Sequence, residues 1–151
     1  MRVEIADARK VRFQHADFKL IVRPEITRIA FVEGEPAAVA VALPNINEVI
    51  ADLGGKLFPL GLPKLIYRLK VQRPETARLA ILGIRKKFRN TRKYAGLSLY
   101  LYAILNEAGQ KLGIRWGELS WTDEENGAVN AAIKMMGGNV YKKYALFESE
   151  A

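Results

Sequence analysis

The sequence contains no cysteine and a single histidine, His15. Without cysteine the chain has no disulfide, no thiolate zinc site and no cysteine nucleophile. A Ser-His-Asp triad or a histidine-rich metal cluster would have to run through His15, which lies in a charged stretch with no matching motif. We therefore predict a structural or solvent-exposed role for His15, and no metal site.

Long apolar runs are also missing. The longest, residues 37–43, stops at Pro44 and is far shorter than the roughly 18 apolar residues that a membrane-spanning helix needs. The N-terminal stretch "MRVEIADARK" lacks the apolar core of a secretory signal. These absences predict a cytoplasmic protein without a membrane partner. With 151 residues, half of them hydrophobic, the chain fits one globular domain over residues 1–151.

Positive charge is abundant and unevenly spread. The formal net charge is +8, which favours polyanionic partners. The densest basic cluster consists of Arg85, Lys86, Lys87, Arg89, Arg92 and Lys93. It lies between a predicted strand and a predicted helix, a more specific position than that of an ordinary solvated basic loop.

Hydrophobic periodicity and turn residues predict the order of the elements. The predicted elements are an N-terminal helix over residues 1–22, two strands joined by a Glu-Gly-Glu turn over 26–44, a short helix over 45–55, a surface excursion over 56–75, a strand over 76–84 buried on both faces, a helix over 97–112, a strand over 114–122, a helix over 126–138 and a closing strand over 139–148. The second half thus alternates strand and helix, which indicates parallel pairing.

The basic cluster has the position of an anion site. Parallel strands bind ligands at their carboxyl ends, and residues 85–97 lie at such an end. Backbone N–H groups that open the following helix attract phosphate, and Arg89, Arg92 and Lys93 would add charge-assisted contacts. A solvated basic loop is the alternative.

From about residue 30 to residue 148 the sequence resembles the GNAT-type N-acetyltransferases, in particular the C-terminal domain of a poorly characterised branch of longer GNAT-like proteins. The resemblance is carried by "AFVEGEPAAVAVALPNINEVI", "LAILGIRKKFRNTRKYAGLSLYLY" and "GIRWGELSWTDEENGAVNAAIKMMGGNVYKKYALFE". It implies an α/β (α+β) fold, with a mixed, mostly antiparallel sheet and a central parallel strand-helix-strand site for acetyl-CoA or another acyl-CoA. The family's first strand has no counterpart before the predicted N-terminal helix.

The same resemblance implies a set of cofactor-binding residues. The family's pyrophosphate loop signature matches at Arg92, whereas Ala95 and Leu97 replace two small residues on either side of Gly96. Side chains at these two positions would crowd the backbone amides. The implied set is Ile84, Arg89, Arg92, Lys93, Tyr94, Ala95, Gly96, Leu97 and Asn126. Helix capping at the 122–126 segment is the competing explanation for Asn126.

The catalytic positions match less well. The place of the family's general-acid tyrosine holds Ile133, which cannot donate a proton. Glu118 is our candidate base, with an ion pair to a nearby Arg or Lys as the alternative. Tyr144, or its neighbour Tyr141, is the candidate acid, and Trp121 the candidate lining of an acceptor pocket; packing is the alternative for each.

Three functions follow from these patterns. The first is acyl-CoA-dependent transfer of an acyl group to an amine, in a small molecule or a peptide. The second is a catalytically degenerate GNAT-fold domain that binds CoA or a partner protein. The third is nucleic-acid binding through the basic cluster and Tyr94, although the cluster occupies one turn rather than a broad face. An open sheet edge also predicts association, with a second copy or with a missing N-terminal domain.

Overall fold

The computed structural model describes residues 2–7, 22–56, 58–72, 74–89 and 91–148. The chain divides into two compact units, residues 1–120 and residues 121–151. The prediction of a single domain over the whole chain stays a prediction.

A five-stranded sheet forms the frame of the first unit. Its strands are β1 (Val3–Asp7), β2 (Thr27–Val32), β3 (Glu35–Pro44), β4 (Thr76–Ile84) and β5 (Trp116–Glu118), in the spatial order β1-β2-β3-β4-β5. Neighbours from β1 to β4 are antiparallel, and β4 and β5 are parallel. The predicted mixed, mostly antiparallel sheet is therefore confirmed. Its parallel pair lies at one side of the described sheet rather than at the centre.

The N-terminus differs from the prediction. Val3–Asp7 form a strand that pairs with β2, with Val3 opposite Val32. The prediction of a helix is therefore wrong for these residues. The prediction that the first strand is missing is also wrong. Apolar Val3 and Ile5 alternate with polar Glu4, which is the period of a strand. Residues 8–21, which include His15 and most of the predicted helix, lie outside the described residues.

The hairpin of β2 and β3 follows its prediction. Its two turn residues, Glu33 and Gly34, both have positive φ angles, of 52° and 83°. Such turns match the twist of antiparallel strands, and glycine adopts this conformation without steric penalty.

Residues between β3 and β4 form two short helices, α1 (Ile46–Ile50) and α2 (Gly61–Tyr67). Asn45 caps α1 by accepting a hydrogen bond from the Asn47 amide at 3.2 Å. A π-helical turn, Arg68–Gln72, follows α2. The predicted excursion, residues 56–75, thus contains helical structure, and most of its described side chains are exposed.

The helix α3 (Leu97–Lys111) supplies much of the core, as its apolar stripe predicts. Leu97, Leu101, Tyr102 and Ala108 on this helix are buried, and so are Ile26, Ala30 and Val32. Gly113, with a φ of 81°, follows its end. β4 is less buried than predicted: Ala77 and Leu79 are buried, whereas Ile81 is 54% exposed.

The second unit contains the helix α4 (Gly127–Met135), close to its predicted bounds. Residues 139–148, the predicted closing strand, form neither helix nor strand and are exposed. That prediction is wrong because aromatic composition favours a strand only where a neighbouring backbone pairs with it.

Candidate functional site

The parallel pair of strands separates early. The first three residues of β4 pair with the whole of β5, Trp116–Glu118, whereas β4 continues to Ile84. Beyond Arg78, the β5-facing edge of β4 has no strand partner among the described residues. Close to this point the register with β3 shifts, so that Ala80 has no partner. Bulges of this kind turn the backbone and are frequent beside active sites. An extended ligand could bind to this edge through backbone hydrogen bonds.

The basic cluster follows β4 as an ordered turn. Phe88 is 4% exposed, and its ring meets the ring of Tyr94 edge-on at 5.1 Å between centroids. The Arg85 amide donates to the Ala37 carbonyl at 2.9 Å, which ties the start of the turn to β3. A buried aromatic anchor and a backbone hydrogen bond therefore hold the turn in one conformation.

Three of the cluster's cations have partners within the protein. Arg85 donates to the Pro36 carbonyl at 3.0 Å, and Arg89 donates to the Ile84 carbonyl at 2.8 Å. Lys87 pairs with Glu35 at 2.6 Å. The hydrogen bond from Lys87 and the charge of Lys87 hold the pKa of the Glu35 carboxyl below its usual range. These three residues shape the turn, and Arg89 is less available to a ligand than the sequence implies.

Arg92 and Lys93 remain open to a ligand. Both lie in the 3₁₀ turn Arg92–Tyr94, both are exposed, and neither forms an ion pair with a described residue. The Lys93 ammonium lies 5.3 Å from the centroid of the Tyr94 ring. Of the predicted phosphate-binding cations, these two are placed directly before α3.

The N-terminus of α3 lacks a side-chain cap. Gly96 occupies the cap position, and the first intrahelical hydrogen bond runs from the Tyr100 amide to its carbonyl at 2.9 Å. The amides of Leu97, Ser98 and Leu99 therefore have no acceptor within the helix. A Cβ at Gly96 would meet no atom within 4 Å. The Leu97 side chain was predicted to crowd these backbone amides. That prediction is wrong, because the side chain is 5% exposed and is buried in the core. Aligned free amides with Arg92 and Lys93 beside them can hold a phosphate.

Glu118 lies where the two strands separate and is paired with Arg78. Its Oε2 accepts hydrogen bonds from the Arg78 Nε at 3.0 Å and Nη2 at 2.8 Å. The Glu118 side chain is 15% exposed and that of Arg78 is 44% exposed. The alternative role of Glu118, an ion pair with an arginine, is therefore present in the structure. Its predicted role as a base stays a prediction.

Three further predicted residues, Asn126, Trp121 and Tyr144, belong to the second unit. Asn126 caps α4 by accepting from the Val129 amide at 3.4 Å, so the capping explanation holds for its side chain. Thr122 does not cap this helix; its hydroxyl donates to Asn130 at 2.5 Å. Trp121 and Tyr144 are 80% and 75% exposed, so neither is a core aromatic.

Sequence reasoning missed three features of the site: Arg78, the Ala80 bulge and the Phe88 anchor. Arg78 is a charged residue inside an otherwise apolar strand, and that contrast signals an opposite charge across the sheet. Phe88 is an apolar residue inside a basic cluster, which signals an anchored turn. The bulge at Ala80 corresponds to no local sequence pattern that would predict it.

A separate cavity of about 310 Å³ lies at the opposite end of β4. Its lining includes the carboxylates of Glu48, Asp52 and Glu75, with Arg68. Arg68 and Lys64 hold the pKa of Asp52 well below its usual range through hydrogen bonds and charge. A cavity rich in carboxylates does not suit the phosphates of a cofactor. The basic turn is the better anion site.

No protein-family model matches the chain. Among curated proteins it is 36% identical to the bacterial ceramide synthase of Caulobacter vibrioides over 130 residues, covering 86% of this chain and 34% of that protein. It is 38% identical to protein YghO of Escherichia coli over 132 residues, covering 87% of this chain and 34% of that protein. The chain thus spans about a third of the length of these relatives.

Solved structures of aminoglycoside N-acetyltransferases share its architecture. The complex of AAC(6')-Iy with the bisubstrate analogue CoA-S-monomethyl-acetylneamine matches with a TM-score of 0.58 and 14% identity, over 100% of both chains. AAC(6')-IG from Acinetobacter haemolyticus matches with a TM-score of 0.53 and 10% identity, over 100% of this chain and 99% of that one. The chain has the GNAT fold. Identities this low establish the fold alone.

None of the helices in the described parts of the chain is both long and apolar enough to cross a membrane.

Proposed function

We propose that this GNAT-fold chain is an acyl-CoA-dependent N-acyltransferase. The observation that carries the proposal is that one strand, β4, has a β5-facing edge without a strand partner among the described residues and leads into a helix whose N-terminus has no side-chain cap. Arg92 and Lys93 lie directly before that helix and form no ion pair with a described residue. In this proposal the CoA pyrophosphate binds the amides of Leu97 to Leu99, with Arg92 and Lys93 as counter-charges. The extended arm of the cofactor lies along β4 between Ile84 and Arg78. The proposed compartment is the cytoplasm, where acyl-CoA is made.

The reaction proposed is direct transfer in a ternary complex. A neutral amine attacks the thioester carbonyl, the new C–N bond forms, the C–S bond breaks, and the thiolate leaves. Backbone N–H groups on the unpaired edge of β4 would stabilise the negative charge on the carbonyl oxygen. One amine proton is lost and the thiolate takes up a proton, either through water or through side chains. Tyr144 stays a prediction for the acid. Glu118 is the predicted base, but its pairing with Arg78 favours the alternative role of an ion pair, and the two roles are tested below.

The acceptor class is proposed from the curated relatives. One relative, similar over most of this chain, is named a ceramide synthase, an enzyme that acylates the amine of a long-chain amino alcohol. We therefore place a lipid amine first, before the aminoglycosides named for the structural neighbours. A peptide amine is the next alternative. The relatives' greater length supports the proposal that such a domain lies within longer GNAT-like proteins.

Calorimetric titration with acetyl-CoA and CoA tests the cofactor site. We expect binding that weakens about 30-fold in the Arg92→Ala/Lys93→Ala variant, because two exposed phosphate contacts of about 1 kcal/mol each are lost. The Lys142→Ala/Lys143→Ala variant is the matched control: it removes two adjacent exposed cations from the second unit and should bind as the parent does. Equal weakening in both variants would show a general charge effect and refute the site.

Release of the CoA thiol, measured with a chromogenic thiol reagent, tests the reaction. Each acyl-CoA is paired with a long-chain amino alcohol, an aminoglycoside or a peptide. Thiol release that depends on the amine, with the acylated amine seen by mass spectrometry, is the expected result. CoA binding without turnover of any amine would favour the degenerate binding domain. Salt-sensitive binding of an oligonucleotide without CoA binding would favour the nucleic-acid alternative.

A further inference from the structure

Residues 45–75 are an insertion that the sheet does not need. β3 and β4 are antiparallel neighbours, and Pro44 lies opposite Ala77. Strands paired in this way are ordinarily joined by two to five residues. About thirty residues connect them here. A connection of this length between two hairpin-paired strands is uncommon in a compact domain.

The two ends of the insertion are fastened together. The Asn45 amide donates to the Thr76 carbonyl at 3.0 Å, and its side chain donates to the Thr76 hydroxyl at 2.9 Å. The Glu75 amide donates to the Glu48 carboxylate at 3.1 Å. The chain therefore leaves the sheet and returns to it at the same place, where hydrogen bonds join the two ends of the insertion.

Helix α2 is held in a fixed orientation against α1. The Asp52 carboxylate accepts hydrogen bonds from Lys64 at 2.7 Å and from the Arg68 Nη2 at 2.8 Å. Arg68 also donates to the Val49 carbonyl at 2.8 Å. These contacts fix which side of α2 faces outward.

Six large apolar side chains on α2 and on the segments that flank it are exposed. We call this group the insertion face: Phe58 (78% exposed), Leu60 (77%), Leu62 (38%), Ile66 (41%), Tyr67 (56%) and Val71 (59%). Large exposed apolar side chains grouped within a short segment mark an interaction surface.

Basic residues outnumber acidic ones in the insertion, although Asp52 pairs with two of them, Lys64 and Arg68. Residues 56–74 contain no acidic residue, and their basic residues are Lys56, Lys64, Arg68, Lys70 and Arg73. Lys56 is exposed, and the Lys64 side chain is 45% exposed despite its pairing with Asp52. Apolar and aromatic side chains next to basic ones are typical of segments that lie in the headgroup region of a bilayer.

We propose that the insertion face docks on the surface of an anionic lipid bilayer. Phe58 and Leu60 would enter the boundary between headgroups and acyl chains, and Lys56 would contact anionic headgroups. A second copy of the chain is a poor occupant, because two such faces would bring like charges together. This proposal goes beyond the sequence-based expectation of no membrane partner, which rested on the lack of a spanning helix. It does not depend on the proposed acyl transfer.

Co-sedimentation with vesicles tests the proposal without CoA or amine present, so its outcome is independent of catalysis. We expect the chain to bind vesicles of equal parts phosphatidylcholine and phosphatidylglycerol, and to bind pure phosphatidylcholine at least about tenfold more weakly. Raised salt should weaken binding to the anionic vesicles.

Two variants separate the apolar and the charged contributions. Leu60→Glu should weaken binding to anionic vesicles at least tenfold, because a buried apolar contact is replaced by a repelled charge. Lys56→Glu should weaken it about tenfold, with little effect on pure phosphatidylcholine. Leu146→Glu and Lys143→Glu are matched controls, since both residues are exposed in the second unit. Thermal unfolding confirms that each variant is folded.

Several results would overturn the proposal. One is a folded parent chain that does not sediment with anionic vesicles. Another is a control variant that weakens binding as much as Leu60→Glu does. A third is self-association that Leu60→Glu abolishes, in the absence of vesicle binding; it would assign the insertion face to a second copy of the chain.

Discussion

The ion pair between Arg78 and Glu118 offers a sharp test of how the parallel strands are joined. Both hydrogen bonds from Arg78 end on one carboxylate oxygen, at 2.8 and 3.0 Å. Hydrogen bonds to charged groups contribute about 1.5–3 kcal/mol when they are sheltered from water. Because 44% of the Arg78 side chain is exposed, solvent screening reduces the expected contribution to about 1 kcal/mol.

Glu118→Gln removes the charge while keeping the shape of the side chain. We expect the free energy of unfolding to fall by about 1 kcal/mol, which lowers Tm by about 2–4 °C in a chain of this length. Arg78→Gln should have a similar effect. Because both variants break the same interaction, the double variant should lose less than the sum of the two single losses. Urea unfolding of the four proteins measures this coupling. Additive losses would refute the pairing as a source of stability.

The same variants decide whether Glu118 is a catalytic base. Loss of a general base lowers the rate by about 10²–10⁴-fold, equivalent to about 3–5 kcal/mol of barrier. An ion pair that only positions the strands has a much smaller effect on turnover. We expect Glu118→Gln to retain at least about a tenth of the amine-dependent thiol release. Arg78→Gln is the control because it keeps the carboxylate. A loss above 100-fold in Glu118→Gln alone, with its stability near that of Arg78→Gln, would contradict the positioning role.

Three further predictions concern stability. Leu101→Ala should lower the free energy of unfolding by about 3 kcal/mol, because Leu101 is fully buried, whereas Leu60→Ala, at 77% exposure, should change it by less than about 0.5 kcal/mol in urea unfolding. Thr27→Val should raise it by about 1 kcal/mol, seen as a higher urea midpoint at unchanged slope, since the buried Thr27 hydroxyl has no hydrogen-bond partner among the described residues. Asp52 has a folded-state pKa lowered from 3.8 by its hydrogen bonds to Arg68 and Lys64, so its stabilisation is present above about pH 4 and is lost as the pH falls further. Asp52→Asn should therefore flatten the acid side of the stability curve measured by thermal unfolding.

Elements specified by neighbouring residues could be predicted from the sequence. The β2–β3 hairpin follows from a Glu-Gly turn whose two residues adopt positive φ angles. Helix α3 follows from an apolar stripe closed by Gly113. Helix α4 follows from an asparagine cap and a double glycine. In each case the deciding interactions lie within a few residues along the chain.

Features that depend on distant partners could not be predicted. β1 is a strand because β2 pairs with it from more than twenty residues away. Residues 139–148 have strand-like composition without such a partner among the described residues. The basic cluster shows the same limit at the level of the site. From composition alone, its cations cannot be told apart. In the structure, Arg85 and Lys87 contact Pro36 and Glu35, which are distant in sequence, whereas Arg92 and Lys93 are exposed.

The geometry of β4 gives the two proposals one structural basis. The basic turn follows its last residue, Ile84, and the insertion ends at its first, Thr76, roughly 26 Å away along the strand. Features that far apart, with no shared partner, contribute independently to binding. A water-soluble anionic cofactor would thus approach one end of β4, and a bilayer would lie at the other. The edge on which the two strands separate lies between these ends, and Arg78 and Glu118 mark the point where separation begins.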